Sequence, residues 1–140
     1  MTQRRLSNYR DRVSQPRMDA KMPIESVVDS VFIHVSDLDA AIKWYSSLLG
    51  IAPGRTSHEG MIHDLPVEGR TGIILDAYPG KAAAKGTGPR LMFATDDLVL
   101  ARQRARELSS TVSEPEDIGS AVVFYVEDPD GNLICIIERK

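Results

Sequence analysis

Asp37-Leu38 and Asp97-Leu98 stand sixty positions apart, and each dipeptide closes a short apolar run and opens a stretch of helical spacing. The runs are Val31-Phe32-Ile33-His34-Val35 and Leu91-Met92-Phe93-Ala94-Thr95. The chain therefore reads as one strand–helix unit used twice. A unit of this size cannot bury its own apolar face, so the copies must pair, and a paired concave surface suits a small ligand.

Alternation in the first run separates two faces of a strand expected over Ser26 to Val35. Val31, Ile33 and Val35 point one way; Ser30, Phe32 and His34 point the other. Ser36 and Asp39 resemble a capping box, after which Leu38, Ala41, Ile42, Tyr45, Leu48 and Leu49 recur at helical spacing until Gly50 stops the helix. The helical stripe should cover the aliphatic strand face, leaving Ser30, Phe32 and His34 on a cleft-facing side. Three short strands are expected near Arg55 to Glu59, Met61 to Leu65 and Thr71 to Ala77. Pro79 to Pro89 then has the composition of a linker.

The second unit repeats the order, with a strand over Arg90 to Thr95, Asp97 as cap, and Leu98, Ala101, Ala105 and Leu108 as one helical stripe. Arg102, Arg104, Arg106 and Glu107 fall off that stripe and read as a solvated face. Ala121 to Val126 and Leu133 to Ile137 form an expected hairpin around the Asp128-Pro-Asp-Gly-Asn132 turn. The domain is expected to span residues 26–140, with module one at 26–80, a linker at 79–89 and module two at 90–140.

Composition narrows the function classes. A chain of 140 residues with 42% hydrophobic content suits one packed core. No apolar run is long enough for a membrane span, and the N-terminus lacks a secretory pattern, so a cytoplasmic protein without membrane association is expected. Cys135 is the sole cysteine, which excludes a disulfide framework and a cysteine-built zinc site. Residues 1–22 carry a net +4 and the remainder −7. The first 25 residues are read as a basic tail, flexible or packed on a partner, and the acidic body argues against nucleic acid.

Two strand–helix–three-strand units, Val35-Ser36-Asp37-Leu38 leading into Trp44-Tyr45 and Leu49-Gly50, and the terminal Asp128-Pro-Asp-Gly-Asn-Leu-Ile together resemble the glyoxalase/bleomycin-resistance/extradiol-dioxygenase superfamily, the vicinal oxygen chelate proteins. The resemblance covers roughly residues 26–140. It implies an α+β fold of two βαβββ modules whose strands curl into an eight-stranded cup, commonly completed by dimerisation. It also implies metal-ligand positions in the first and last strand of each module. In this chain those positions read Ser30, Leu75, Arg90 and Cys135, with Asp76 reached only if the alignment slips by one.

That set is a poor chelator. A divalent cation needs converging anionic or imidazole donors; neutral serine is weak, and Arg90 brings a permanent positive charge. No cofactor is therefore expected, and Arg90 is expected to anchor an anionic ligand group. An off-pattern divalent-metal set of His34, His63 and Asp76 stays open. His34 and Cys135 are the candidate catalytic groups, the thiol activated if Arg90 lies close. His63 and Asp64 form a further candidate acid–base pair, and His58 an ordinary loop residue. Trp44 and Tyr45 are expected in the core or at a dimer contact.

The sequence thus points to a homodimeric protein that binds a small organic molecule in a metal-free cup through Ser30, Phe32, His34, Arg90, Met92 and Cys135. The alternatives are a metal-dependent or Arg90-assisted lyase, isomerase or dioxygenase, and an interaction module whose cup is filled.

Overall fold

Each half of the chain has a first strand too short to stand alone, and a helix carries the chain across so that the last strand of the half can pair beside it in parallel. The computed structural model describes residues 23–54, 56–57, 60–79 and 88–140. The basic tail through residue 22, Arg55, His58, Glu59 and most of the expected linker lie outside them.

In module one, β1 (Ser30–His34), α1 (Leu38–Leu49), β2 (Thr56–Ser57), β3 (Ile62–Leu65) and β4 (Gly72–Asp76) form a sheet of order β1-β4-β3-β2. Module two repeats this with β5 (Pro89–Ala94), α2 (Leu98–Leu108), β6 (Glu116–Asp117), β7 (Ala121–Glu127) and β8 (Leu133–Arg139), ordered β5-β8-β7-β6. The architecture is the expected α+β pair of βαβββ modules. β1 lies parallel to β4 and β5 parallel to β8, the arrangement a helical crossover permits. No helix among the described residues is long and apolar enough to cross a membrane.

Several boundaries differ from the sequence expectation. β1 starts at Ser30 rather than Ser26, because its partner β4 begins at Gly72, whose N–H is taken by the Asp29 carbonyl. Asp37, not Ser36, caps α1 by accepting the Ala40 N–H at 3.1 Å, while the Ser36 N–H goes to the Asp130 carboxylate. Gly50 ends the helix in the left-handed region, φ 65°. Pro89, expected in the linker, opens β5. The two residues of β6 escape sequence reading, being polar and exposed.

Both helices lie on one side of the sheets and meet each other. Trp44 Nε1 donates to the Leu108 carbonyl at 3.1 Å, and the Arg104 guanidinium donates to the Ser47 carbonyl. Arg102 donates to the Ser113 carbonyl and to Glu114. Two arginines expected on a solvated face therefore tie neighbouring segments together. Ile33, Val35, Ile42, Trp44, Tyr45 and Leu75 of module one share a core with Leu98, Ala105, Phe124, Val126, Ile134 and Ile136 of module two. Each large apolar side chain buried here contributes about 1.5–3 kcal/mol. Trp44 and Tyr45 meet edge to face in this core, with centroids 4.8 Å apart.

Candidate functional site

Because the helices occupy the inner faces of both sheets, the opposite faces are turned away from the shared core. Strand pairing defines their side-chain rows. On sheet one, Phe32, Ile74 and Asp64 form one row and His34, Asp76 and Ile62 the next. On sheet two, Met92, Cys135 and Tyr125 form one row and Ala94, Ile137 and Val123 another. Phe32 and Met92, sixty positions apart, occupy matching places and are 57% and 54% exposed. Exposure of two large apolar side chains at equivalent sites marks this face as the candidate binding surface. Deeper on sheet two, Ala121, Val123, Cys135 and Ile137 form a second buried cluster with Tyr125 packed against it.

His34 projects onto this face with its ring 32% exposed, and its Nδ1 lies 3.8 Å from Oδ2 of Asp76, which is 3% exposed. Asp76 Oδ1 accepts the Tyr78 N–H at 2.9 Å. Nδ1 itself is buried and makes no hydrogen bond. The strand position of His34 is fixed from behind by Asn132, whose Nδ2 donates to the His34 carbonyl at 3.2 Å.

Other candidate residues fall differently. His63 is fully buried on the helix side, where its Nε2 meets the Pro53 carbonyl. It therefore cannot join His34 and Asp76, and the off-pattern metal set does not converge. His63 and Asp64, adjacent on β3, point to opposite faces and make no acid–base pair. Leu75 is also buried on the helix side. Extending the sixty-residue register into β4 misplaced it by one: Phe32 pairs Ile74 while Met92 pairs Cys135, so the last strands are related by sixty-one. Ile74, an aliphatic residue, holds the place equivalent to Cys135, and Asp76 the place equivalent to Ile137.

Arg90 is the extra residue where the β5–β8 register shifts between Pro89 and Leu91. At such a bulge strand alternation does not set the side-chain direction, so counting back from Thr95 does not aim Arg90 into the cup. Cys135 is 1% exposed, and burial pushes its thiol up rather than activating it. Ser30 Oγ donates to the Asp29 carboxylate at 2.9 Å, and its partner Gly72 leaves only 3.2 Å between an added Cβ and that oxygen.

These residues do not fit a divalent metal. Among the described residues no group of three or more His, Cys, Asp or Glu side chains is placed to hold one. At the family's ligand positions, Ser30 is engaged by Asp29, Leu75 faces the core, Arg90 is cationic, and the Cys135 thiol is disfavoured as thiolate.

Sequence reading also missed what the Asp128-Pro-Asp-Gly-Asn132 turn does. Beyond closing a hairpin, it joins the modules. Tyr45 Oη donates to Asp128 Oδ2 at 2.7 Å, Asn132 Nδ2 donates to the same oxygen at 2.8 Å, and Asp128 Oδ1 accepts the N–H groups of Asp130 and Asn132. Burial, then the Asp128 charge, drives the Tyr45 hydroxyl far above its ordinary pKa and keeps it protonated. A separate open cleft of about 290 Å³ lies between the helices and β5, lined by Leu48, Phe93, Leu100 and Arg104. Of its charged groups, Asp97 caps α2, and Arg104 bonds Ser47 and Glu107.

Comparison with known proteins agrees with this geometry. A lactoylglutathione lyase of Haemophilus influenzae is 30% identical over 126 residues, covering 77% of this chain and 89% of that protein. TnmS3, an antibiotic binding protein from Streptomyces sp. CB03234, superposes with a TM-score of 0.67 at 26% identity over 85% of this chain and 99% of its own. A glyoxalase/bleomycin resistance protein from Catenulispora acidiphila shares the fold with a TM-score of 0.62 at 24% identity, covering 81% of this chain and 99% of that one. Residues 27–136 match the family profile itself. The chain belongs to the Glyoxalase/Bleomycin resistance protein/Dioxygenase superfamily.

Proposed function

We propose that this protein binds a small organic molecule, without a divalent metal, in a cup built on the outward faces of its two sheets and completed by a second copy of the chain in the cytoplasm. The observation that carries the reading is the matched exposure of Phe32 and Met92 at equivalent strand positions. A second copy of the chain packed over the exposed Phe32 and Met92 is the cover this reading assigns to that face. Removing apolar area from water contributes about 25 cal/mol per Å², and His34 adds polar selection at the edge. Similarity to an antibiotic binding protein supports a binding role.

The lyase chemistry named for the Haemophilus relative draws less support. The metal-ligand positions in this chain hold a serine, a core leucine, an arginine and a buried thiol.

Native mass spectrometry of the protein as purified, with sedimentation equilibrium, tests the reading. Dimers carrying a co-purified organic ligand are expected, and Phe32→Ser with Met92→Ser should weaken both ligand retention and dimerisation. A ligand-free monomer at micromolar concentration would remove the proposal.

A further inference from the structure

The buried edge of His34 faces an acid, and its open edge faces the cup. We propose that His34 and Asp76 form an acceptor site for a neutral hydroxyl of the ligand, a phenol or enol, in which Asp76 fixes the imidazole proton on Nδ1 and leaves the Nε2 lone pair for the ligand O–H. The inference rests on the cup reading above and names the chemistry selected there. His34 and Asp76 are direct partners in the β1–β4 register, and Nδ1 is buried 3.8 Å from Asp76 Oδ2. A carboxylate only accepts, so the proton between the two belongs to the imidazole Nδ1. The separation exceeds a formed hydrogen bond, as catalytic and binding pairs often do before a ligand tightens them.

Two surroundings narrow the ligand class. Phe32, two residues away on the same face, offers an aromatic surface on which a planar ring can lie. The described charged groups placed around His34 by register and bonding are Asp76 on β4, Asp64 on β3, and Asp128 and Asp130 in the β7–β8 turn. This acidic setting disfavours an anionic ligand and suits a neutral donor. Protonation of His34 turns Nε2 from acceptor into donor and so removes the preference for a hydroxyl.

Imidazole nitrogen NMR on the full-length protein tests this, with His34 assigned by the resonance lost in His34→Gln. The neutral ring should be the Nδ1-protonated tautomer, and an Nε2-protonated tautomer would overturn the proposal whether or not any ligand binds. Phenol and its methyl ether, anisole, are then titrated as probes. Phenol should bind about fivefold to tenfold more tightly than anisole, the worth of one hydrogen bond, and the difference should vanish in His34→Gln. Equal binding of both probes, weakened alike by Phe32→Ser, would overturn the acceptor site and leave the cup intact. Binding of neither probe together with insensitivity of the native oligomer to Phe32→Ser would count against the cup, and the tautomer would still decide the His34–Asp76 pair.

Discussion

Tyr45→Phe isolates the joint between the modules. The ring is fully buried and edge-on to Trp44, so the phenylalanine keeps the packing and loses only the hydroxyl that donates to Asp128 Oδ2 at 2.7 Å. Asp128 keeps three N–H donors, from Asp130 N, Asn132 N and Asn132 Nδ2, so no carboxylate oxygen is left bare. The cost is that of one charge-assisted bond, about 1.5–3 kcal/mol. With a urea m-value of about 1–3 kcal/mol/M, the unfolding midpoint should fall by roughly 1 M. Asp128→Ala strips all four donors at once and should cost more, about 3–5 kcal/mol. The alkaline limb gives an independent reading. Because the folded hydroxyl titrates above the unfolded one, its contribution is complete below about pH 10, where a free tyrosine ionises, and is lost as pH rises further. Stability should therefore fall above about pH 10 in the wild type and fall less steeply in Tyr45→Phe. A Tyr45→Phe unfolding free energy within about 0.5 kcal/mol of wild type, with an unchanged alkaline limb, would refute the assignment of this contact as a joint.

Three smaller perturbations test other contacts in the molecule. Cys135, buried and with its thiol pushed up, should react with a disulfide reagent at neutral pH far more slowly than in denaturant; prompt stoichiometric labelling of the native protein would contradict its placement. Gly50→Ala meets no atom within 4 Å but must hold φ near 65°, so it should cost about 1 kcal/mol in urea unfolding, with Gly50→Asn less damaging; an unchanged midpoint for the alanine would argue against the left-handed cap. Asp117 is held below the usual carboxylate range by hydrogen bonds from Lys140 Nζ and the Gly119 N–H, so Lys140→Ala should move its carboxyl resonance titration upward, and an unmoved titration would show the pair is not formed in solution.

Local patterns carried much of the architecture. The two-residue alternation of Val31 to Val35 placed Phe32 and His34 on the outward face, and the spacing from Leu38 to Leu49 defined α1, because strand and helix periods are written in consecutive residues. Features decided by distant partners were not legible. Ser36 and Asp37 are both good caps, and the choice fell to Asp37, while the Ser36 N–H is taken by Asp130, ninety-four residues away. β6 is a strand only because Glu116 and Asp117 pair with β7, which neither side chain advertises. The counterpart of Cys135 in module one is Ile74 rather than Leu75, because the repeat period grows from sixty to sixty-one between first and last strands. Arg90 misled for a related reason: alternation fails at a bulge, and the bulge is set by how β5 meets β8.

The Asp128-to-Asn132 turn also sets an order of events during synthesis. Its bonds reach Ser36 across 94 residues, His34 across 98 and Tyr45 across 83. The first module, although all its own strands emerge earlier, cannot seal Tyr45 or the end of β1 until residues 128–132 have left the ribosome. Completion of the first module therefore waits on the second, and contacts of such long sequence separation slow the final step. A nascent chain stalled before Asp128 would display a half-finished module, which makes the C-terminal hairpin the segment on which proteolytic quality control of this protein would turn.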